Sequence, residues 1–468
     1  MFGRKNPWQH PKRQRNIFRS RKTRDSFTFA SATLRRNAAI RPAQRPANPS
    51  PEVGFSDRVI GTPARIRRSR SRLALILSNA ALACSIGFFW PAAMGTVDHS
   101  RNQIWGLDKT RLKNALSEAF GRNERPGELL IETPDIRKTG HIHYSIDPVL
   151  QSHAEQSLAK FRPDYGMIVA MDATSGEILA MADIRRDGVD GDNLNLQATY
   201  PAASVFKTIT AAAAIDMGKA NAGTVIPYNG KSTTLYKKNV LRHRNNKWTN
   251  HRSLEKSFSK SVNTVFARLG IYTVGGDELL NYADRFAFNQ QIGSDLPLQP
   301  STIEMNPDDE WSIAEVASGY TRGTNISPVH GAMIAAAVAN GGRMPTPHII
   351  DAVTDEHGII LFENDSGETR QVISADAAAE MKKLMNETIR SGSAAKSFRK
   401  FPHKTLDAGG KTGSLTGFNP KGKYDWFVGY ADDGERKLAY AVLCINKEFW
   451  YVKSAHLART LIEKHFSS

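Results

Sequence analysis

Apolar residues fall along this chain in three regimes. Residues 1–72 have no helical or strand period and are rich in Arg, Pro, Ser and Asn, so they read as a disordered tail. Residues 73–94 are almost wholly apolar, and no charge stands between Arg72 and Asp98. At 1.5 Å per residue, 22 helical residues span roughly 33 Å, the thickness of a bilayer core. The pattern therefore predicts a single transmembrane helix. The arginines before it place the N-terminus in the cytoplasm and the C-terminal bulk outside the inner membrane. A cleaved signal peptide and lipid attachment at Cys84 are the competing readings. The 72-residue basic leader argues against the first, and Phe88-Phe89-Trp90, where a polar linker belongs, against the second.

Residues 95–140 are polar with one amphipathic piece at 112–120, and read as a short stalk or the beginning of the exported domain. From His141 the periods are those of a folded enzyme, giving a domain over 141–468. A helix is expected around 149–161, and two short apolar runs at 167–171 and 178–182 predict a hairpin buried on both faces. Residues 222–252 are polar and basic, with Tyr228, Tyr236 and Trp248, and read as loop with a short helix. The stretch 253–270 is helical at both ends and interrupted at 259–263. Ser327-Pro328 opens a helix that stops at Asn340-Gly341-Gly342, and Ser374 caps another reaching Arg390. Strands are expected at 408–415, 426–430 and 438–445, then a helix over 454–466. Strands at both ends with helices between predict an α/β (α+β) domain. Its antiparallel sheet is built from both ends, with helices on both faces and an all-helical subdomain.

Charge changes the picture mainly by where it sits. Residues 1–72 hold 19 of the 63 Lys and Arg and 3 of the 46 Asp and Glu, so +16 of the net +17 lies in the tail. The folded part is near neutral, and its charge gives no reason to expect nucleic-acid binding. The tail itself reads as a contact for anionic lipid on the cytoplasmic face, or as a docking segment for other proteins. Two cysteines, Cys84 and Cys444, without ligand companions, predict neither a disulfide nor a zinc site.

The candidate chemistry begins at Ser204-Val205-Phe206-Lys207, at the mouth of an apolar helix that Gly218 ends. A serine hydroxyl is a weak nucleophile until a base takes its proton. A lysine can be that base when desolvation and nearby cations lower its pKa. Two further pieces follow: Ser261-Val262-Asn263 in an inter-helix loop, and Lys411-Thr412-Gly413-Ser414 on a strand. With 53 residues between the first two and 147 between the last two, their order and settings make coincidence improbable. Together they resemble the penicillin-recognising serine acyl-transferases, specifically the transpeptidase domain of penicillin-binding proteins, over roughly 141–466. The hairpin around Gly176-Glu177-Ile178, the lead-in Tyr200-Pro201-Ala202-Ala203, and Asp425-Trp426-Phe427 carry the same likeness.

That resemblance implies a serine-type peptidoglycan D,D-transpeptidase. Ser204 attacks the D-alanyl-D-alanine end of a stem peptide, and Lys207 accepts its proton. Ser261 relays a proton to the leaving amine, and Asn263 binds the substrate backbone. Lys411 lowers the pKa of Lys207 and attracts the terminal carboxylate, which Thr412 and Ser414 bind. Gly413, with Gly409 and Gly410, leaves room for substrate, and the N–H groups of Ser204 and Ser414 form the oxyanion hole. No metal or organic cofactor is implied. The implied partners are stem peptides, β-lactams, and a glycosyltransferase or division or elongation proteins. The chain departs from the family at Arg322, which stands in a usually small or apolar run, and at 417–423, read as an unusual loop. A D,D-carboxypeptidase, a β-lactam sensor or a β-lactamase of the same fold, or an idle scaffold acting through its tail, are the rival readings.

Overall fold

The computed structural model describes residues 107–467 apart from 134–135, 189–190, 243, 365–366 and 403–404. The tail and the apolar run at 73–94 lie outside the described residues. Among the described residues no helix is long and apolar enough to cross a membrane.

Five antiparallel strands form the main sheet: β1 Tyr165–Asp172, β2 Ile178–Arg185, β3 Asp407–Phe418, β4 Lys421–Asp432 and β5 Lys437–Asn446. Their spatial order is β3-β4-β5-β1-β2, so the two ends of the domain close one sheet, as the pattern predicts. Side chains alternate across a strand, and the sheet sorts them cleanly. Met167, Val169, Trp426, Val428, Ala441 and Leu443 face one core. Ile168, Ala170, Phe427, Tyr440, Val442 and Cys444 face the other, beneath the Pro148–Phe161 and Ser454–Phe466 helices. The first face carries the helical region, led by the wholly buried helix Pro328–Ala339. Ser327 caps that helix through the His330 N–H, and Pro328 opens it where no N–H is needed.

Two expectations are corrected, and of the two readings of 107–140 the packing fits the beginning of the folded domain and not a stalk. A helix Lys109–Gly121 buries Leu112, Leu116 and Phe120 in the same core as Ile131 and Ile142. Strand Ile136–Tyr144 pairs with Glu128–Thr133 on one side and with Ile350–Thr354 on the other, and Ile360–Glu363 completes a second, four-stranded sheet. Its partners lie some 200 residues apart in sequence, so neither half shows by itself what it pairs with. Residues 222–252 contain a two-stranded ribbon, Val225–Tyr228 with Asn250–Ser253, besides the short helix Lys237–Val240. Residues 417–423 are not an irregular loop: β3 and β4 stay paired out to Phe418 opposite Lys421, a hairpin that extends the sheet.

Candidate active site

Ser204 lies in a 3-10 turn, Ala203–Phe206, that runs straight into the helix Lys207–Asp216. Residues three apart eclipse in such a turn, which stacks the Lys207 side chain under the Ser204 hydroxyl. Nζ of Lys207 is 2.7 Å from Oγ of Ser204 and 2.8 Å from Oδ1 of Asn263, and it also reaches the carbonyl of Ser318. That carbonyl is left free by the end of the helix Glu310–Ser318. A neutral amine has two N–H groups and one lone pair. Asn263 and Ser318 take the two N–H groups, and the lone pair is left for the Ser204 proton. Full burial, and then the Lys411 ammonium, hold the Lys207 pKa well below the ordinary lysine range. No carboxylate lies among its partners.

The turn fits because of residues that the motif reading passed over. Ala203 has φ +48°, in the left-handed region. Gly319, φ +63°, lies against it: a Cβ there would sit 1.9 Å from the Ala203 carbonyl oxygen. Only glycine allows that approach. A glycine directly after an apolar helical run was the available signal.

Lys411 rises from β3 on the other side. Its Nζ is 3.0 Å from Oγ of Ser261 and 2.8 Å from the Thr412 carbonyl, and 5.4 Å above the centre of the Phe258 ring. Burial pulls its pKa from 10.5 to about 7. Ser261 sits between the helices Leu254–Ser259 and Asn263–Leu269 with φ +55°, a strained conformation held by its surroundings. Asn263 is nearly buried. Its Oδ1 accepts from Lys207 and its Nδ2 donates to the Thr233 carbonyl at 3.0 Å. Its carboxamide thus orients the lysine, and the same residue lines the cavity beside Ser204, where the resemblance expects substrate.

Ser204, Ser261, Asn263, Thr412 and Ser414 all line one cavity of about 330 Å³. Lys207 and Lys411 are buried beside it through their bonds to Ser204 and Ser261. Thr233, Lys260, Gly319, Tyr320 and Ser393 complete the wall, and the Ser393 hydroxyl is 2.6 Å from that of Thr412. A larger cavity, about 770 Å³, lies between the Ala375–Arg390 helix and the start of β3, and no serine–lysine pair lines it. The glycines of β3 have a different reason from the expected one. A Cβ at Gly413 would press Val205 and Trp426 at 3.1 Å, so this glycine lets β3 pack on the nucleophile turn. Gly409 meets the helix backbone at Met385, and Gly410 the Phe427 ring. Arg322 is no misfit: its Nε donates to the Thr416 carbonyl at 3.1 Å and its guanidinium lies 4.7 Å from the Phe418 ring centre, bracing the extended hairpin. Elsewhere Glu177, His348 and Asp351 bring one ligand atom each within 4.8 Å of one another, but none lines the cavity.

A serine hydroxyl bonded to a buried lysine of lowered pKa, facing a second lysine–serine pair across one cavity, is the arrangement expected of a serine acyl-transferase site. The family model for the penicillin-binding protein transpeptidase domain matches residues 166–463, and the chain belongs to that family. It is similar to stage V sporulation protein D of Bacillus subtilis, 26% identical over 324 residues. That match covers 64% of this chain and 48% of the relative, so the chain spans about half of that protein's length. The peptidoglycan D,D-transpeptidase PbpA of Mycobacterium tuberculosis is 25% identical over 341 residues, covering 66% of this chain and 67% of the relative. Among solved structures, PBPA of M. tuberculosis superposes with a TM-score of 0.58 at 23% identity, over 70% of this chain and 82% of that one. The D,D-transpeptidase domain of a peptidoglycan glycosyltransferase from Eggerthella lenta gives the same TM-score at 22% identity, over 70% and 83%. These likenesses establish the β-lactamase/transpeptidase fold.

Proposed function

We propose that this chain is a membrane-anchored peptidoglycan D,D-transpeptidase with its catalytic domain outside the inner membrane. One observation carries the reading: Nζ of a fully buried Lys207 lies 2.7 Å from Oγ of Ser204, with both its N–H groups already taken. Ser204 Oγ attacks the carbonyl of the penultimate D-alanine, and its proton passes to Lys207. The C–N bond breaks, and the leaving D-alanine amine takes a proton through Ser261, which Lys411 orients at 3.0 Å. An amine of a neighbouring stem peptide then attacks the ester, returning Ser204 its proton and forming the cross-link. Lys411, protonated below about pH 7, faces the terminal carboxylate with the Thr412 and Ser414 hydroxyls. The N–H groups of Ser204 and Ser414 receive the oxyanion.

A β-lactam presents a strained amide to the same serine, and PBPA of M. tuberculosis has been solved as an imipenem acyl-enzyme. The test is to incubate the full-length chain with a fluorescent penicillin and map the adduct by mass spectrometry. A stable adduct on Ser204 is expected, and none in Ser204→Ala. No adduct, or one on another residue, would overturn the reading. Release of D-alanine without cross-links from a lipid-linked glycan substrate would make it a carboxypeptidase instead.

A further inference from the structure

Between Met217 and Leu254 the chain carries eight Lys and Arg and no Asp or Glu. No other stretch of the folded part so long is so one-sided, and the acylation mechanism uses none of these cations. The structure turns them outward: Lys231, Lys237, Lys238, Arg242, Arg244 and Lys247 are all exposed. Among the described residues none of the six is within 4 Å of a carboxylate, whereas several exposed cations elsewhere are paired, as Arg122 with Glu118, Lys383 with Glu380 and Arg436 with Asp433. Two large rings stand among them. Trp248 is 74% exposed and Tyr236 55%, and Lys247 lies 5.1 Å from the Trp248 ring centre. An ordinary solvated face has no use for an open tryptophan.

This lobe is an ordered part of the domain. Leu235 and Val240 are buried against Ala267 and Ala314, and the ribbon Val225–Tyr228 with Asn250–Ser253 closes its base. It also begins at the rim of the active site. The Asn263 N–H donates to the Ser232 carbonyl at 2.8 Å, Asn263 Nδ2 donates to the Thr233 carbonyl, and Thr233 lines the catalytic cavity.

We infer that this basic, aromatic lobe is a binding site for the cell-wall polymer beyond the scissile peptide, a sugar chain bearing acidic peptides. The inference rests on the function proposed above. The chemistry matches on both counts: unpaired cations take the carboxylates of the stems, and exposed rings take the apolar faces of pyranoses. Its place at the cavity rim puts it where a polymer whose end occupies the cleft must run.

The test measures retention of the full-length chain on purified cell-wall sacculi, by depletion from solution across a range of salt. The variants are Lys238→Gln/Arg242→Gln/Arg244→Gln/Lys247→Gln, and separately Trp248→Ala. The basic tail is present in every sample, so differences report the lobe. The fourfold variant is expected to bind about tenfold or more weakly, with a shallower salt dependence. Trp248→Ala is expected to lose about threefold to tenfold with the salt dependence kept. Fluorescent-penicillin labelling of Ser204 should stay within about twofold of the parent in both, because so small a ligand does not reach the lobe. Equal retention of parent and variants would overturn the inference. So would a loss seen only on vesicles of anionic phospholipid and not on sacculi, which would make the lobe a membrane contact. Should the fourfold variant fail to label, retention of Trp248→Ala decides between the outcomes. A parent that takes no penicillin would sink the transpeptidase reading, and the retention comparison would still stand.

Discussion

Lys207 and Lys411 share something with the cations of the 231–252 lobe: none of them has a carboxylate partner. Their solvation is opposite. The cleft lysines are fully buried and held to neutral hydroxyl, amide and carbonyl groups. The lobe cations stand in water. Burial converts a lysine from a charge into a base by making its protonated form costly. Exposure keeps the charge and makes it a field that reaches about one Debye length. One residue type thus serves proton transfer in the cleft and attraction at its rim, and solvent access alone decides which.

The largest effect expected from breaking that contrast is at Lys207. In Lys207→Met, acylation by penicillin should fall by about 10²–10⁴-fold, the usual worth of a general base. Lys207→Arg sharpens the point, because arginine keeps the charge and cannot give up its proton at any working pH. If charge alone mattered, Arg would rescue. The expected result is a rate as low as that of Met, read as the second-order rate of adduct formation in stopped-flow fluorescence.

A smaller effect follows at Lys411, whose pKa of about 7 gives its work a pH signature. The free site is positive below about pH 7 and loses that charge as pH rises through it. Capture of a carboxylate-bearing penicillin should therefore weaken above pH 7. Lys411→Gln should slow acylation about tenfold and flatten that descending limb. Because the Lys411 charge also helps depress Lys207, its removal should let the Lys207 pKa rise. The ascending limb then moves to higher pH. Loss of rate in the variant with both limbs unchanged would show that Lys411 acts by packing alone.

The candidate site residues could be picked out in the sequence because their spacing is local: a serine and lysine three apart, a turn between helices, a lysine on a strand. The sheet was readable because short continuous apolar runs mark both its ends. What escaped was long-range. The strand at 136–144 finds a partner at 350–354, across the whole helical region, and nothing in either polar segment announces the other. Gly413 looked like room for substrate, but its neighbour is Val205, visible only once β3 lies on the nucleophile turn. The hold of Asn263 on Lys207 was not visible in the motif, because 56 residues separate them. Arg322 looked out of place only while the hairpin it braces was taken for a loop. The lobe's basic composition was plain, but composition does not say which cations find carboxylates.

The smallest effect concerns stability, and its sign follows from the burial of Lys411. A lysine whose folded pKa lies below its unfolded one binds more protons unfolded. Its contribution to stability is therefore present above the unfolded value and lost as pH falls toward the folded one. For Lys411 that window runs from 10.5 down to about 7, and below it the cost is constant. Replacing it by methionine removes the cost and keeps most of the packing against Phe258. Lys411→Met should thus melt higher than the parent at pH 6, by roughly 2–6 °C, while losing acylation, as active-site residues often do when exchanged for stability. The gap should close as pH approaches 10. Calorimetry of parent and variant at pH 6 and pH 10 decides the matter. A Lys411→Met chain that melts no higher than the parent at pH 6 would mean that the buried ammonium is already compensated by its hydroxyl, carbonyl and ring partners. The division between buried base and exposed field would then fail for this lysine.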